Sequence, residues 1–483
     1  MKNLYIILLA VLFLSGCYKD KGNYDYHPVG EIIISGIDAE KYYYVYLGEP
    51  FTMPEPELSF TDSTYAHDDL TYQWRIDNKV ISTEKILYAE VALEPGASYY
   101  PADFTVKDER TGISYVQKFR VMVSSNFVQG WVWLAENNGR AEMNMVTSNQ
   151  KFFGNVFTTV NEAELGPHAW HLTEHFSQVG YNWYSGLLAV AGAGSIELDW
   201  SSLRKETWMY QEFSGGKFPD GFSPVAAVFT KSYSCAVGDN GKVHIRHSPG
   251  GYLYEGRYPS MPYYSDFIIS PKVASAYPPA YNVALFFDEK SSSYVYLDPD
   301  GALQRFDQVT DEGGVFPVTQ MNKDLIFISA VSQQGNNSVF YAVVQDRTTK
   351  KYMTQQFEFG ISGREAYLKT ISEQDFPDMI DQNTCFAVGY KTTDVWYSKG
   401  SVLYKYNRDL NDTPELFKDF KTGAIQAIVF NQYGDQYGVI VQNGQQYDFY
   451  WESTDGTTFY SQTGLEGQVK HLIYKVGYGF YYE

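Results

Sequence analysis

The chain has 483 residues, too many for one ordinary domain, and its 44% hydrophobic and 19% charged fractions exclude general disorder. Its formal charge is −20 and no run of Lys or Arg interrupts the acidic balance, so nucleic acid is not an expected partner. Aromatic residues reach 17%, with 43 Tyr beside 40 Gly, a make-up that favours strands and tight turns over helices.

Lys2 precedes an apolar run from Leu4 to Leu14, and Ser15-Gly16-Cys17 follows. A run of about eleven residues is too short to span a bilayer and fits the core of a secretory signal. Leu14-Ser15-Gly16-Cys17 reads as a lipobox: small residues flank the scissile bond, and the Cys17 thiol would carry the acyl chains. Each buried methylene contributes about 0.8 kcal/mol, so several chains on one cysteine hold a protein on a membrane. The expectation is a signal peptide over 1–16, acylated Cys17, and a tether over 17–28 that lacks an apolar period. The mature chain is then expected at the outer membrane, lipid-anchored, with surface exposure one outcome.

Residues 29–125 read as a β-sandwich. Ile32-Ile33-Ile34 opens a strand, and Tyr72-Gln73-Trp74-Arg75-Ile76 alternates so that Trp74 faces inward, like the core tryptophan of an immunoglobulin-like sandwich. Phe104 and Val106 precede the turn Asp108-Glu109-Arg110-Thr111-Gly112, after which Phe119, Val121 and Val123 share one face. The stretches CYKDKGNYDYHPVGEIIISGI, YQW and FTVKDERTGISY resemble the PKD-like lipoproteins of Bacteroidota, closely over residues 17–125 and loosely beyond. The resemblance implies a PKD-like sandwich. It also implies a place beside SusC/SusD-type outer-membrane uptake pairs, near which such proteins are often encoded. Trp74 is followed by Arg75-Ile76-Asp77-Asn78 rather than the Gly-Asp-Gly turn of better-known PKD repeats, so no ligand carries over.

Residues 126–483 read as a β-propeller. Short apolar runs are broken by turns at Asn138-Gly139, Ala193-Gly194, Asn240-Gly241, Asp298-Pro299-Asp300-Gly301, Ser398-Lys399-Gly400 and Asn443-Gly444. Asn-Gly marks a hairpin because both central residues of a type I′ turn need positive φ. With the Gly-free turn Asp346 to Lys350 added, seven turns recur at about 51 residues, a period that suits propeller blades. Seven blades are expected, six or eight being compatible with the same spacing. The tail Leu472 to Val476 is expected to share a blade with Trp131 to Leu134, which would tie the ring's ends together.

Candidate sites are sparse. His171-Leu172-Thr173-Glu174-His175 matches H-x-x-E-H, the inverted zincin motif, in which two His one helical turn apart bind zinc. Gly166-Pro167 and the strand-rich surroundings argue against the helix it needs, so His171 and His175 stay weak metal candidates. No metal, cofactor or catalytic residue is assigned. Trp170, Trp183 and Tyr184 fall in a long interval between turns, where exposed aromatic planes would suit a glycan or peptide. Cys235 and Cys385 are taken as equivalent strand positions three blades apart, too distant for a disulfide. The favoured function is a non-catalytic envelope binding or accessory protein that captures glycan or peptide beside a SusC/SusD-type complex. The alternatives are a propeller-based extracellular hydrolase or lyase and a protein-binding scaffold.

Overall fold

The computed structural model describes residues 30–46, 49–61, 69–91, 93, 99–179, 182–230, 232–247, 256–263, 266–276, 283–334, 337–390, 392–410 and 412–476, with backbone alone at 176–179 and 182–185. Residues 1–29, which hold the expected signal segment, Cys17 and the expected tether, lie outside the described residues. The chain divides into two compact units, Met1–Val123 and Ser124–Glu483. No helix among the described residues is long and apolar enough to cross a membrane.

In the first unit a five-stranded antiparallel sheet has the spatial order Tyr42–Tyr46, Ser114–Ser124, Tyr100–Asp108, Leu70–Ile76, Lys79–Ser82. Two short ladders, Ile32–Ser35 with Glu57–Phe60 and Pro50–Thr52 with Tyr88–Glu90, add Ile32, Phe51 and Ala89 to the same core. Trp74 is fully buried there, with its ring 4.3 Å from that of Phe104 and 5.9 Å from that of Phe119. Its indole N–H donates to the Glu84 carbonyl at 2.9 Å, so the one polar atom of the ring is satisfied. The Asp108 carboxylate closes the 108–112 turn by accepting from the Arg110 amide and the Thr111 hydroxyl.

The second unit holds, among the described residues, seven antiparallel sheets. Each is a blade whose innermost strand lies nearest the ring axis. For blades 2 to 7 these strands are His171–Val179, Pro224–Phe229, Ala274–Ser275, Lys323–Gln334, Phe386–Val388 and Ala424–Phe430. Blade 1 takes its inner strand, Gln468–Lys475, from the far end of the chain, and its next strand is Gly130–Asn137. Each inner strand touches the next, and the seventh touches the first, so the ring closes.

The sheets are buried on both faces. One apolar cluster fills each wedge between neighbouring blades, seven in all among the described residues. This explains why strands such as Pro224–Phe229 and Ser293–Leu297 are buried at every position instead of alternating. The closing wedge is aromatic. Trp131 and Trp133 pack with Phe449, and Trp133 Nε1 donates to the Tyr447 hydroxyl at 2.9 Å. Gly438 in blade 7 makes room for Trp131, since a Cβ there would lie 2.7 Å from its ring.

Two expectations change. Six of the seven turns join the second and third strands of a blade, but Asp298–Gly301 joins the third strand of blade 4, Ser293–Leu297, to its fourth, Leu303–Arg305. The equivalent turn lies at 289–292, where Ser292 rather than glycine takes positive φ (53°) and the Asp288 carboxylate accepts from Lys290 and Ser291. Cys235 and Cys385 are both free, but they are not equivalent. Cys235 lies in the second strand of blade 3, Tyr233–Gly238, and Cys385 just ahead of the inner strand of blade 6.

Candidate functional site

Alternate residues of an inner strand point to opposite sides, so seven such strands around one axis line a channel. Two adjoining cavities of about 450 and 320 Å³ follow that axis and share the wall residues Ser329, Ala330, Ile473, Tyr474 and Val476. Between them their walls draw on the inner strands of all seven blades. The larger is mostly apolar, with Phe327, Val388, Ile428 and Leu472 along its length. Lys470 and Gln426 stand near the starts of the inner strands, and Tyr390 and Gln432 beyond their ends. An apolar wall with few polar groups at its ends is the usual make-up of a ligand site.

Cys385 is half-buried on this wall, and burial pushes its thiol up to about 11, which leaves it a weak nucleophile. Cys235 is fully buried away from the cavities, and its thiol is pushed higher still.

The three candidate aromatics are not brought to one place. Trp170 is 47% exposed, just before the inner strand of blade 2. Trp183 and Tyr184 pair with Gln178 and Ser177 at the far end of the hairpin, so the ladder separates them from Trp170 by roughly 20 Å or more. The side chains of Trp183 and Tyr184 lie outside the described residues.

The H-x-x-E-H residues lie on a strand, not a helix. At about 3.3 Å per residue His171 and His175 are roughly 13 Å apart, beyond the reach of one metal ion. Among the described residues no three His, Cys, Asp or Glu side chains are grouped to hold a metal. His171 instead meets His471 of blade 1, ring centroids 4.3 Å apart, and His471 Nδ1 accepts from the Leu172 amide at 3.2 Å. Burial holds the His471 imidazole down to about 4 and, with His471 beside it, holds His171 well below the ordinary range.

The folded rings stay neutral while the unfolded chain binds protons below about pH 6.5, so stability is full above that pH and is lost as pH falls towards 4. His471 alone should account for about 1–3 kcal/mol of that loss. Urea midpoints measured across this window should fall, and His471→Asn, which keeps an acceptor for Leu172, should flatten the fall. An unchanged slope in the variant would refute the assignment.

His175 belongs to a buried polar seam between blades 2 and 3. Its Nε2 lies 2.8 Å from Glu197 Oε2, and its ring stacks on Phe229 at 4.1 Å. Gly186 stands directly across the ladder, where a Cβ would come within 2.6 Å of that nitrogen. Glu212 pairs with Arg246, whose guanidinium also lies over the Tyr258 ring at 4.5 Å and is buried from solvent. Burial pushes the Glu212 carboxyl up against the pull of Arg246, with Glu197 adding to the rise. His175 Nδ1, Glu212 Oε2 and Tyr258 Oη have no hydrogen-bond partner among the described residues. The seam is sealed, and it serves packing between blades rather than a surface site.

Residues 17–168 match the PKD-like family. The match takes in the first unit and the opening strands of the propeller and leaves most of the chain outside it. No curated protein matches the chain. A quinonprotein alcohol dehydrogenase-like protein from Bacteroides thetaiotaomicron is 12% identical, covering 93% of this chain and 100% of that one, with a TM-score of 0.41. TolB from Acinetobacter baumannii is 8% identical over 92% of this chain and 99% of its own, with a TM-score of 0.39. A protein from Lactobacillus plantarum is 8% identical over 72% and 99%, with a TM-score of 0.43. Likenesses at this level carry nothing about activity.

The channel wall was not legible in the sequence. Gln426, Gln432 and Lys470 sit in no motif, and only the register of seven blades brings them near one axis. The tail's pairing with Trp131 to Leu134 was the one sequence signal that pointed to closure around it.

Proposed function

We propose that this chain is a lipid-anchored outer-envelope protein that binds glycan or peptide without chemical turnover, beside a SusC/SusD-type uptake complex. The observation that carries the reading is the largely apolar channel formed by the inner strands of all seven blades, with polar groups at its two ends. The lipobox at Cys17 and the PKD-like match support attachment and envelope location. Exposed Trp170 offers a further stacking surface on the loops.

Protein lacking residues 1–17 should be retarded in affinity gels containing host or plant polysaccharides, or should bind peptides from a mixed library. A ligand seated in the channel should slow alkylation of Cys385 while leaving buried Cys235 unlabelled. In cells, radiolabelled palmitate should enter the full chain and be lost in Cys17→Ser. No retention on either ligand class, or palmitate-free chain from wild type, would remove the reading.

A further inference from the structure

We infer that the end of the channel beside Gln432 is a site for a primary ammonium group on an apolar stem, the chemistry of a lysine side chain in a captured peptide. The inference rests on the channel as the binding site and narrows what it takes. Gln432 lies in the turn that leaves the inner strand of blade 7, and it is 8% exposed on the wall of the larger cavity. The turn is built to hold it. The Asn431 carboxamide bonds both the Asp435 side chain (2.7 Å) and the Asp435 amide (3.2 Å), and Gly434 takes φ +73°.

Gln432 Oε1 has no hydrogen-bond partner among the described residues. A buried acceptor left without a donor is costly and uncommon in folded proteins. An incoming donor that reaches this oxygen would supply the bond it lacks. An acceptor selects against a carboxylate, which has no proton to give.

The surroundings favour a cation among donors. Tyr390, Phe430 and Tyr474 line the same cavity, and aromatic faces attract ammonium groups. Glu174 stands on the wall of the adjoining cavity, and its Oε2 accepts from the Val476 amide at 2.8 Å. Lys475, 3.8 Å from that carboxylate, balances its charge, so the neutral carboxamide and the rings set the preference. The apolar wall beyond accommodates the stem. Lys470 stands near the starts of the inner strands, so the ammonium end of a bound stem is expected at the Gln432 end.

The test titrates protein lacking residues 1–17 with hexylammonium, 1-hexanol and hexanoate by calorimetry. Hexylammonium should bind best, hexanol less well and hexanoate least. Gln432→Leu should weaken hexylammonium by roughly tenfold or more, and Gln432→Glu should strengthen it. Hexanoate binding as tightly as hexylammonium would overturn the inference. So would unchanged hexylammonium affinity in a Gln432→Leu variant that melts like wild type, or no binding of any probe, which would assign Oε1 to a bound water. The wild-type ranking stands whether or not the variants fold. Gln432-dependent amine binding with no retention of glycan or peptide would sink the broader reading alone; peptide retention indifferent to Gln432→Leu would sink this one alone.

Discussion

A chain ending at Gly467 is expected to lose the cooperative fold of the propeller. The removed strand, Gln468–Lys475, pairs with Gly130–Glu136 and buries Val469 and Leu472, and Tyr474 packs edge-on against Trp131 at 4.6 Å. Burying each large apolar side chain contributes about 1.5–3 kcal/mol, so these contacts alone amount to roughly 5 kcal/mol or more. Ordinary domains have only about 5–15 kcal/mol in total. Loss of the strand also bares the ladder edge of Gly130–Asn137, a template for aggregation. Circular dichroism should show early, broad melting, and a peptide spanning residues 468–476 should restore a sharp transition. A truncated chain that melts within a few degrees of wild type would show that the ring does not depend on its closing strand.

Replacing Arg246 with Met should be the most damaging single change in the seam between blades 2 and 3. It leaves Glu212 buried without its cation, and breaking a buried pair costs about 3–5 kcal/mol. The double variant Arg246→Met with Glu212→Leu should recover most of that loss, because an apolar filling of similar volume is often neutral or better. Urea denaturation of the four chains of the cycle measures both terms. A single-variant loss below about 1 kcal/mol would mean that water reaches the seam.

How much of this was legible follows from which forces act locally. Turn chemistry is local, so Asn138-Gly139 and Asn443-Gly444 announced their hairpins, and their recurrence gave seven blades. The turn of blade 4 was misplaced because Ser292 takes positive φ without glycine while the stronger signal, Asp298 to Gly301, belongs to the next hairpin. Trp74 was legible as core because strand alternation fixes its side. The H-x-x-E-H residues looked like chemistry because spacing alone does not state the period on which it is laid. On a strand the same spacing sends His175 to Glu197 and His171 to His471. Trp170 and Trp183 were grouped by nearness in sequence, which a long hairpin turns into distance.

Ring closure by the last strand has a consequence for timing. Lys475 donates to the carbonyl of Val128, 347 residues earlier. Bringing such remote segments together carries an entropic penalty that grows with the logarithm of the loop, and it delays the final step until nearly the whole polypeptide is available. During synthesis the early blades would therefore wait, edges bare, for the strand Gln468–Lys475 to emerge. That interval is when a chaperone, or a faster route to aggregation, would compete for the chain.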